Sequence, residues 1–346
     1  MTGAMATGPF VSVILPVRNE SGFIERSLGA AAAQNYPADR MEVIVVDGMS
    51  ADGTRDLVRA TLDRYPGRTV RVMDNPGRIL SSGFNIGFAA ARGDVIILLG
   101  GHTEIGPDYV RRCVAHLASR EFDCVGGPLE TVADTLVGQA IALAMSSRFG
   151  VGGAAFRLPQ SRGVEVDTVA FGAYQRAAVE RCGPLDEEMI RNQDDEYNYR
   201  LRDLGGRILL APDLRSRYHS RGTLGALWRQ YFSYGCWKVR VIQKHPRQVR
   251  VRHRVPAAFV LAVLTSAALA VWSSPGRWAP ALVTGAYLLA NLTASLMSAR
   301  RTALRHLPLL PVVFAMLHLS YGAGFLVGLA RFRRGWGAKP TRVIAS

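Results

Sequence analysis

Apolar positions in this chain come in blocks. Val11-Ser12-Val13-Ile14-Leu15-Pro16, Val43 to Val46, Val70 to Met73 and Asp94-Val95-Ile96-Ile97-Leu98-Leu99 are short, nearly continuous apolar runs. Between them lie segments with helical spacing, from about Ser21 to Ala33, from near Thr54, and from about Leu80 to Ala91. Strands apolar on both faces belong to a sheet covered on both sides, and their alternation with helices predicts βαβ units and a mostly parallel sheet. The expected fold class is therefore α/β, Rossmann-like, with helices on both faces of the sheet.

Three longer uncharged stretches follow: Pro256 to Trp272, Trp278 to Ser298 and Leu307 to Ala330. Each approaches or exceeds the roughly 20 apolar residues that span a bilayer. Charge changes the picture further. The formal net charge is +15, yet Asp213 is the last acidic residue, and 16 Lys and Arg lie between Lys238 and Ser346. The remaining 26 basic and 27 acidic residues precede Lys238 and nearly cancel. The basic clusters Arg247-Arg250-Arg252-Arg254 and Arg300-Arg301-Arg305 flank apolar segments, so they read as cytoplasmic flanks facing anionic lipid, not as a nucleic-acid site. The expected organisation is a catalytic domain at 1–223, an amphipathic, basic interfacial linker at 224–254 and a membrane region at 255–346 with two or three crossings. Three crossings would put Arg331, Arg333, Arg334, Lys339 and Arg342 outside, against the positive-inside tendency; a re-entrant or interfacial third segment would not. Met1 to Phe10 is short and uncharged, so no signal peptide is expected there. Cys113, Cys124, Cys182 and Cys236 have no metal-type spacing and are expected to be reduced packing residues.

The first strand ends in Pro16-Val17-Arg18-Asn19-Glu20 in place of G-x-G-x-x-G, which argues against a hydride-transfer domain. The second stops on Asp47, followed by Gly48-Met49-Ser50-Ala51-Asp52-Gly53-Thr54. A carboxylate at the C-terminal edge of a buried strand lies where open α/β sheets bind nucleotides, and Asp52 is placed to cap the helix that begins near Thr54.

Taken in order, these motifs resemble the family 2 glycosyltransferases of the GT-A fold. The resemblance runs from Val11 to about Trp237, through Leu15 to Glu20, Asp47 to Thr54, Asn85-Ile86-Gly87 before Ala91 to Asp94, and Asn192-Gln193-Asp194-Asp195-Glu196 with Arg200-Leu201. It is nearest to the succinoglycan-type membrane-associated branch. The resemblance implies a nucleotide-sugar donor, by default UDP-glucose, and places Pro16, Asn19, Glu20, Asp47, Asn85, Gly101 and His102 on the donor side. Asp47 is then the acceptor for a ring N–H of the base; Glu20 is equally a first-turn helix charge. The family's D-x-D metal signature falls on Leu99 to Glu104, where Gly100 replaces the first acid and His102 stands at the second. A divalent metal, Mn²⁺ or Mg²⁺, would then rest on His102 with Glu104, imidazole favouring Mn²⁺; otherwise His102 faces phosphate directly.

Asp194 keeps the family's six-residue spacing to Arg200 and is the expected general base, with Asp195 the alternative. Asp167 and the Phe171 to Tyr174 strand resemble the acceptor-side wall, Tyr174 either stacking on a sugar or serving the core. Gln230 and Trp237 correspond to a Q-x-x-R-W motif at a longer spacing, with Cys236 in place of arginine, which favours single-sugar addition over processive synthesis. Lys238, Arg229 or His219 are candidates to supply the missing phosphate charge. The expected activity is inverting transfer of a sugar to a membrane-linked lipid or glycan acceptor, at the cytoplasmic face of a cell membrane and without nucleic acid. The alternative is a protein of the same fold that binds donor without turnover.

Overall fold

The computed structural model describes residues 8–219, 222–273 and 275–336. In chain order the elements are β1 (Val11–Val17), α1 (Ile24–Ala32), β2 (Met41–Asp47), α2 (Thr54–Leu62), β3 (Thr69–Asp74), α3 (Leu80–Ala90), β4 (Val95–Leu98), β5 (Thr103–Ile105), α4 (Tyr109–Leu117), β6 (Cys124–Gly126), β7 (Leu129–Val132), α5 (Leu136–Met145) and α6 (Arg148–Val151). There follow β8 (Val164–Glu165), β9 (Ala173–Gln175), α7 (Arg176–Cys182), α8 (Gln193–Asp203), β10 (Ile208–Leu210), β11 (Ser216–His219), α9 (Leu224–Lys244), α10 (Val255–Trp272), α11 (Ala279–Arg301) and α12 (Leu310–Arg331). Two compact units result: residues 1–130 with 159–219, and 131–158 with 220–339. The boundary expected at 223 therefore moves, because α5 and α6 belong with the C-terminal helices.

In the first unit an eight-stranded sheet has the order β3-β2-β1-β4-β9-β6-β10-β8. β3, β2, β1 and β4 are parallel, with Val17 opposite Asp47 and Asp47 opposite Asp74. β9 runs antiparallel between β4 and β6, which makes the sheet mixed from that point. Side-chain alternation sends Val11, Val13, Leu15 and Val17 into a core with Ile24 and Leu28 of α1 and Val110 and Cys113 of α4. Ile14, one residue out of phase, meets α3 at Gly87, where a Cβ would fall 2.2 Å from Ile14 Cγ2. β1, β2 and β4 are thus buried on both faces, as their unbroken apolar runs require. Pro16 lies inside β1, beyond the last pairing with β4 at Ile14–Leu98, so its missing N–H removes no ladder bond.

In the second unit α5, α9, α11 and α12 share a core containing Ile141, Leu227, Ala299 and Phe314. The segment expected as an interfacial linker is largely α9, whose Tyr231, Cys236, Trp237, Val239 and Ile242 are buried. α10, α11 and α12 coincide with the three apolar stretches and are long and apolar enough to cross a membrane. Lys339 and Arg342 lie outside the described residues. The four cysteines are free and buried.

Candidate active site

Sheet order reverses between β1 and β4, and the loops after β1, β2, β3 and β4 gather at the carboxyl ends of these strands, where open α/β sheets hold ligands. Four residues here carry a positive φ without being glycine: Asn19 (52°), Met49 (59°), Arg78 (57°) and Phe171 (54°). Such backbone strain clusters at functional sites.

The loops after β1 and β2 are stitched together. Asn19 Oδ1 accepts from Ala51 N at 3.0 Å, Asn19 N donates to Ser50 Oγ at 2.9 Å, and Glu20 N donates to Thr54 Oγ1 at 2.9 Å. Asp52 accepts from Ser21 N at 3.0 Å and from Thr54 N at 3.1 Å. Gly53, in the left-handed conformation, is the formal cap of α2, while Asp52 satisfies the helix's first N–H as expected. The Thr54 hydroxyl and the Ser21 and Thr54 N–H groups hold the Asp52 carboxyl far below its usual range.

Asp47 ends β2 with its side chain only 2% exposed. Arg55 Nε donates to Asp47 Oδ2 at 2.5 Å and its guanidinium continues to Asp74, while Ser50 N donates to Asp47 Oδ2 at 3.2 Å. Burial pushes the Asp47 carboxyl up, but the bonds from Ser50 and Arg55 outweigh it and hold the carboxyl below its usual range. As placed, Asp47 is closed by Arg55, and a base N–H would have to share or displace that arginine. Arg55 is the residue that motif reading missed; no linear pattern signals it, because the contact forms only when α2 folds over the end of β2.

After β4, Gly101 lets Glu20 pass: a Cβ there would sit 2.9 Å from Glu20 Cγ. His102 Nδ1 donates to Glu20 Oε1 at 3.1 Å, and His219 Nε2 donates to Glu104 Oε1 at 2.6 Å. β5 pairs antiparallel with β11, Arg217 opposite Glu104, so the two couples adjoin and His219 N reaches His102 O at 3.3 Å. Phe23 lies against both imidazoles, with centroids 6.2 Å from His102 and 5.7 Å from His219. His102 and Glu104 therefore face different partners instead of one shared ion.

Gly100 stands where the resemblance puts the first metal-binding acid. A Cβ there would fall 2.8 Å from Phe171 Cε1 and 3.1 Å from Phe171 Cζ. Beside it, Thr103 Oγ1 is buried without a hydrogen-bond partner. Among the described residues no three His, Cys, Asp or Glu side chains gather to hold a metal ion. The side chains present do not fit the expected metal cage: one acid is missing, an aromatic ring fills its space, and each candidate ligand is paired elsewhere.

α8 carries the acidic cluster, entered through Asn192 at φ 59°. Asp194 is exposed and its Oδ1 accepts from Asp195 N at 2.9 Å. Arg200 does not turn to Asp194. Its Nε donates to Glu196 Oε1 at 3.1 Å and its Nη1 to the carbonyls of Cys182 and Pro184, at 3.1 and 2.6 Å. The six-residue spacing thus reflects a buried Glu196–Arg200 clamp under the exposed Asp194, and Glu196, expected only as a member of the motif, anchors the helix. Burial disfavours the Arg200 charge, yet Glu196 keeps its pKa raised.

One expected contact takes another role, and Tyr174 takes the second of its two. Asn85 donates to Leu185 O at 2.9 Å and accepts from Leu185 N at 2.7 Å, tying α3 to the loop before α8 instead of facing a nucleotide. Tyr174 is 2% exposed and donates to Asn198 Oδ1 at 2.7 Å; it is a core residue with no face open to a sugar. Gln230 and Trp237 lie on α9 in the second unit, where Gln230 Nε2 donates to Tyr234 OH at 3.0 Å and Trp237 packs at a tilt against Phe332, ring centroids 5.2 Å apart. Arg229 and Lys238 are on the same helix, whereas His219 is the member of that group found beside His102.

A mixed sheet with its open edge at the β1–β4 reversal and an acid cluster on α8 has the architecture of the GT-A fold. Residues 12–182 match the family model "Glycosyl transferase family 2". The chain is 29% identical over 324 residues to the succinoglycan biosynthesis protein ExoA of Rhizobium meliloti, covering 93% of this chain and 96% of that protein. It is 24% identical over 332 residues to a dolichyl N-acetyl-α-D-glucosaminyl phosphate 3-β-D-2,3-diacetamido-2,3-dideoxy-β-D-glucuronosyltransferase of Methanococcus voltae, covering 93% and 98%. Among solved structures, the mannosyltransferase PcManGT of Pyrobaculum calidifontis, in complex with GDP-Man and Mn²⁺, superposes with a TM-score of 0.59 at 20% identity, covering 92% of this chain and 87% of that one. Residues 12–182 form a glycosyltransferase family 2 domain, and the chain is a glycosyltransferase.

Proposed function

We propose that this glycosyltransferase transfers one sugar, with inversion, from a nucleoside diphosphate donor to a lipid-linked acceptor in polysaccharide or glycolipid synthesis. The carrying observation is Asp194, exposed at the start of α8 above the buried Glu196–Arg200 clamp. The clamp and the Asn85 tie fix the helix, which keeps the Asp194 carboxylate in place. In the reaction Asp194 accepts the acceptor hydroxyl's proton, that oxygen forms a bond to the anomeric carbon, and the bond to the diphosphate breaks with its electrons leaving on the nucleoside diphosphate. Asp195 is the alternative base. Asp47 with Arg55 forms the base end of the donor site; UDP-glucose is the default donor.

The leaving diphosphate needs positive charge or hydrogen-bond donors. The side chains at the end of β4 do not form a metal cage, so no step is assigned to an ion. The donors that the chain itself supplies there are the imidazoles of His102 and His219. The enzyme sits on a cell membrane with its catalytic domain on the cytoplasmic side; the basic flanks of the apolar helices and the lipid-linked substrate named for the Methanococcus relative support this reading.

The test is nucleoside diphosphate release in detergent, using a panel of nucleotide sugars and a membrane lipid extract. Release from one donor that needs lipid and is lost in Asp194→Asn supports the proposal. Donor binding without release would favour the non-catalytic reading that Gly100 alone suggests, and equal release by Asp194→Asn would remove that residue from the chemistry.

A further inference from the structure

Resting on the membrane-bound reading, we infer that the chain crosses the bilayer twice. α10 and α11 form the spanning hairpin, and α12, although long and apolar enough to cross, remains on the side of the catalytic domain as the partner of α9.

α9 is too polar to cross. It carries Arg229, Lys238, Arg240 and Lys244 within 21 residues, and a charge held at mid-bilayer is strongly disfavoured. Its two ends are therefore on one side, the side at which the catalytic domain delivers the chain to Thr223.

α12 runs parallel to α9 in backbone contact. A Cβ on Gly235 would fall 2.0 Å from Tyr321 O, one on Gly324 2.0 Å from Phe232 O, and one on Gly328 2.5 Å from Cys236 O. Small residues allow this approach. The contact runs to the end of both helices, where Gln243 Nε2 donates to Phe332 O at 2.7 Å. Phe332 therefore lies beside the C-terminus of a helix that does not cross. The start of α12 follows Arg300 and Arg305, and its end carries Arg331, Arg333 and Arg334, so both ends are basic. In its apolar window 44% of residues are buried by protein, against 11% in each of α10 and α11.

α10 and α11 have the opposite character. Leu269, Val271, Leu282 and Leu289 are 53–79% exposed, and Trp272 and Trp278, at 82% and 78%, flank the turn. Tryptophan at a hairpin tip suits the far membrane interface. At about 1.5 Å per residue, 18 and 23 residues reach about 27 and 34 Å, enough for a hydrocarbon core of about 30 Å. Arg247, Arg250, Arg252 and Arg254 stand before the hairpin and Arg300 and Arg305 after it, while its tip holds Arg277. With two crossings every basic cluster lies on one side.

The test is labelling of single-cysteine reporters by a membrane-impermeant maleimide, in intact and in permeabilised cells; the native cysteines are buried. Reporters are Arg59→Cys on α2, Ser273→Cys at the hairpin tip and Arg333→Cys after α12, all at exposed positions. The expected result is Ser273→Cys labelled in intact cells, with Arg59→Cys and Arg333→Cys labelled only after permeabilisation. Arg333→Cys grouping with Ser273→Cys, opposite Arg59→Cys, would mean three crossings and overturn the inference while keeping the membrane reading. All three on one side would overturn the membrane crossing itself.

Discussion

The contact between Gly100 and Phe171 lends itself to a quantitative test. Gly100→Asp restores an acid where the family resemblance places one, but its Cβ would meet two ring carbons of Phe171, at 2.8 and 3.1 Å. The ring cannot retreat freely, since Phe171 is held at φ 54° and its carbonyl accepts from Tyr109 OH at 3.1 Å. Overpacking of this kind costs about 1–3 kcal/mol, a loss of several degrees in melting temperature at about 2–4 °C per kcal/mol. In a Phe171→Ala background the overlapping carbons are gone, so the same substitution should cost at least about 1 kcal/mol less. That coupling exceeds the roughly 0.3–0.5 kcal/mol scatter of independent sites. The assay is thermal unfolding of the four proteins of the cycle in detergent, followed by near-ultraviolet circular dichroism. Additive effects of the two substitutions would refute the claim that Phe171 occupies the acid's place. The double variant, with ring removed and carboxylate present, is also the form expected to bind Mn²⁺ more tightly than wild type by calorimetry.

The remaining predictions concern the same edge of the sheet. Chelation with EDTA should change wild-type turnover by less than about threefold; complete loss, restored by Mn²⁺, would show that the side chains rearrange into a metal cage on donor binding. Asp194→Asn should lower kcat by about 10²–10⁴ with donor binding kept, the range for loss of a general base, whereas a comparable loss in Asp195→Asn alone would move the role one residue on. Arg200→Ala leaves Glu196, 3% exposed, buried without its cation, and should destabilise the protein by about 3–5 kcal/mol in urea unfolding. The Asp47 carboxyl is held below its ordinary value of 3.8, so its contribution to stability is present above that pH and is lost as pH falls through the lowered value. In Arg55→Ala burial acts with less opposition, so acid unfolding followed by circular dichroism should begin at a higher pH than in wild type.

The fold was largely legible in the chain. Unbroken apolar runs at β1, β2 and β4 could only belong to strands covered on both faces, and three uncharged stretches of helix length could only be α10 to α12. Asp47 at a strand end and Asp194 at a helix start followed from motif order, because local backbone geometry places them. Tertiary structure decided what each of these residues touches. Arg55 reaches Asp47 only through the turn of α2, and Arg200 chooses Glu196 one helical turn back over Asp194, whose position six residues earlier is off its face. Asn85, placed on the donor side from motif position, bonds Leu185 instead, and Tyr174, open to a sugar-stacking or a core role, takes the core one and donates to Asn198, since a buried hydroxyl must be paired. Phe171 and Gly100 are 71 positions apart, and only the pairing of β9 with β4 brings the ring over the glycine. Composition likewise set the apolarity of α12 but not its place; that depended on the glycines that let α9 lie against it, a contact between segments distant in the chain.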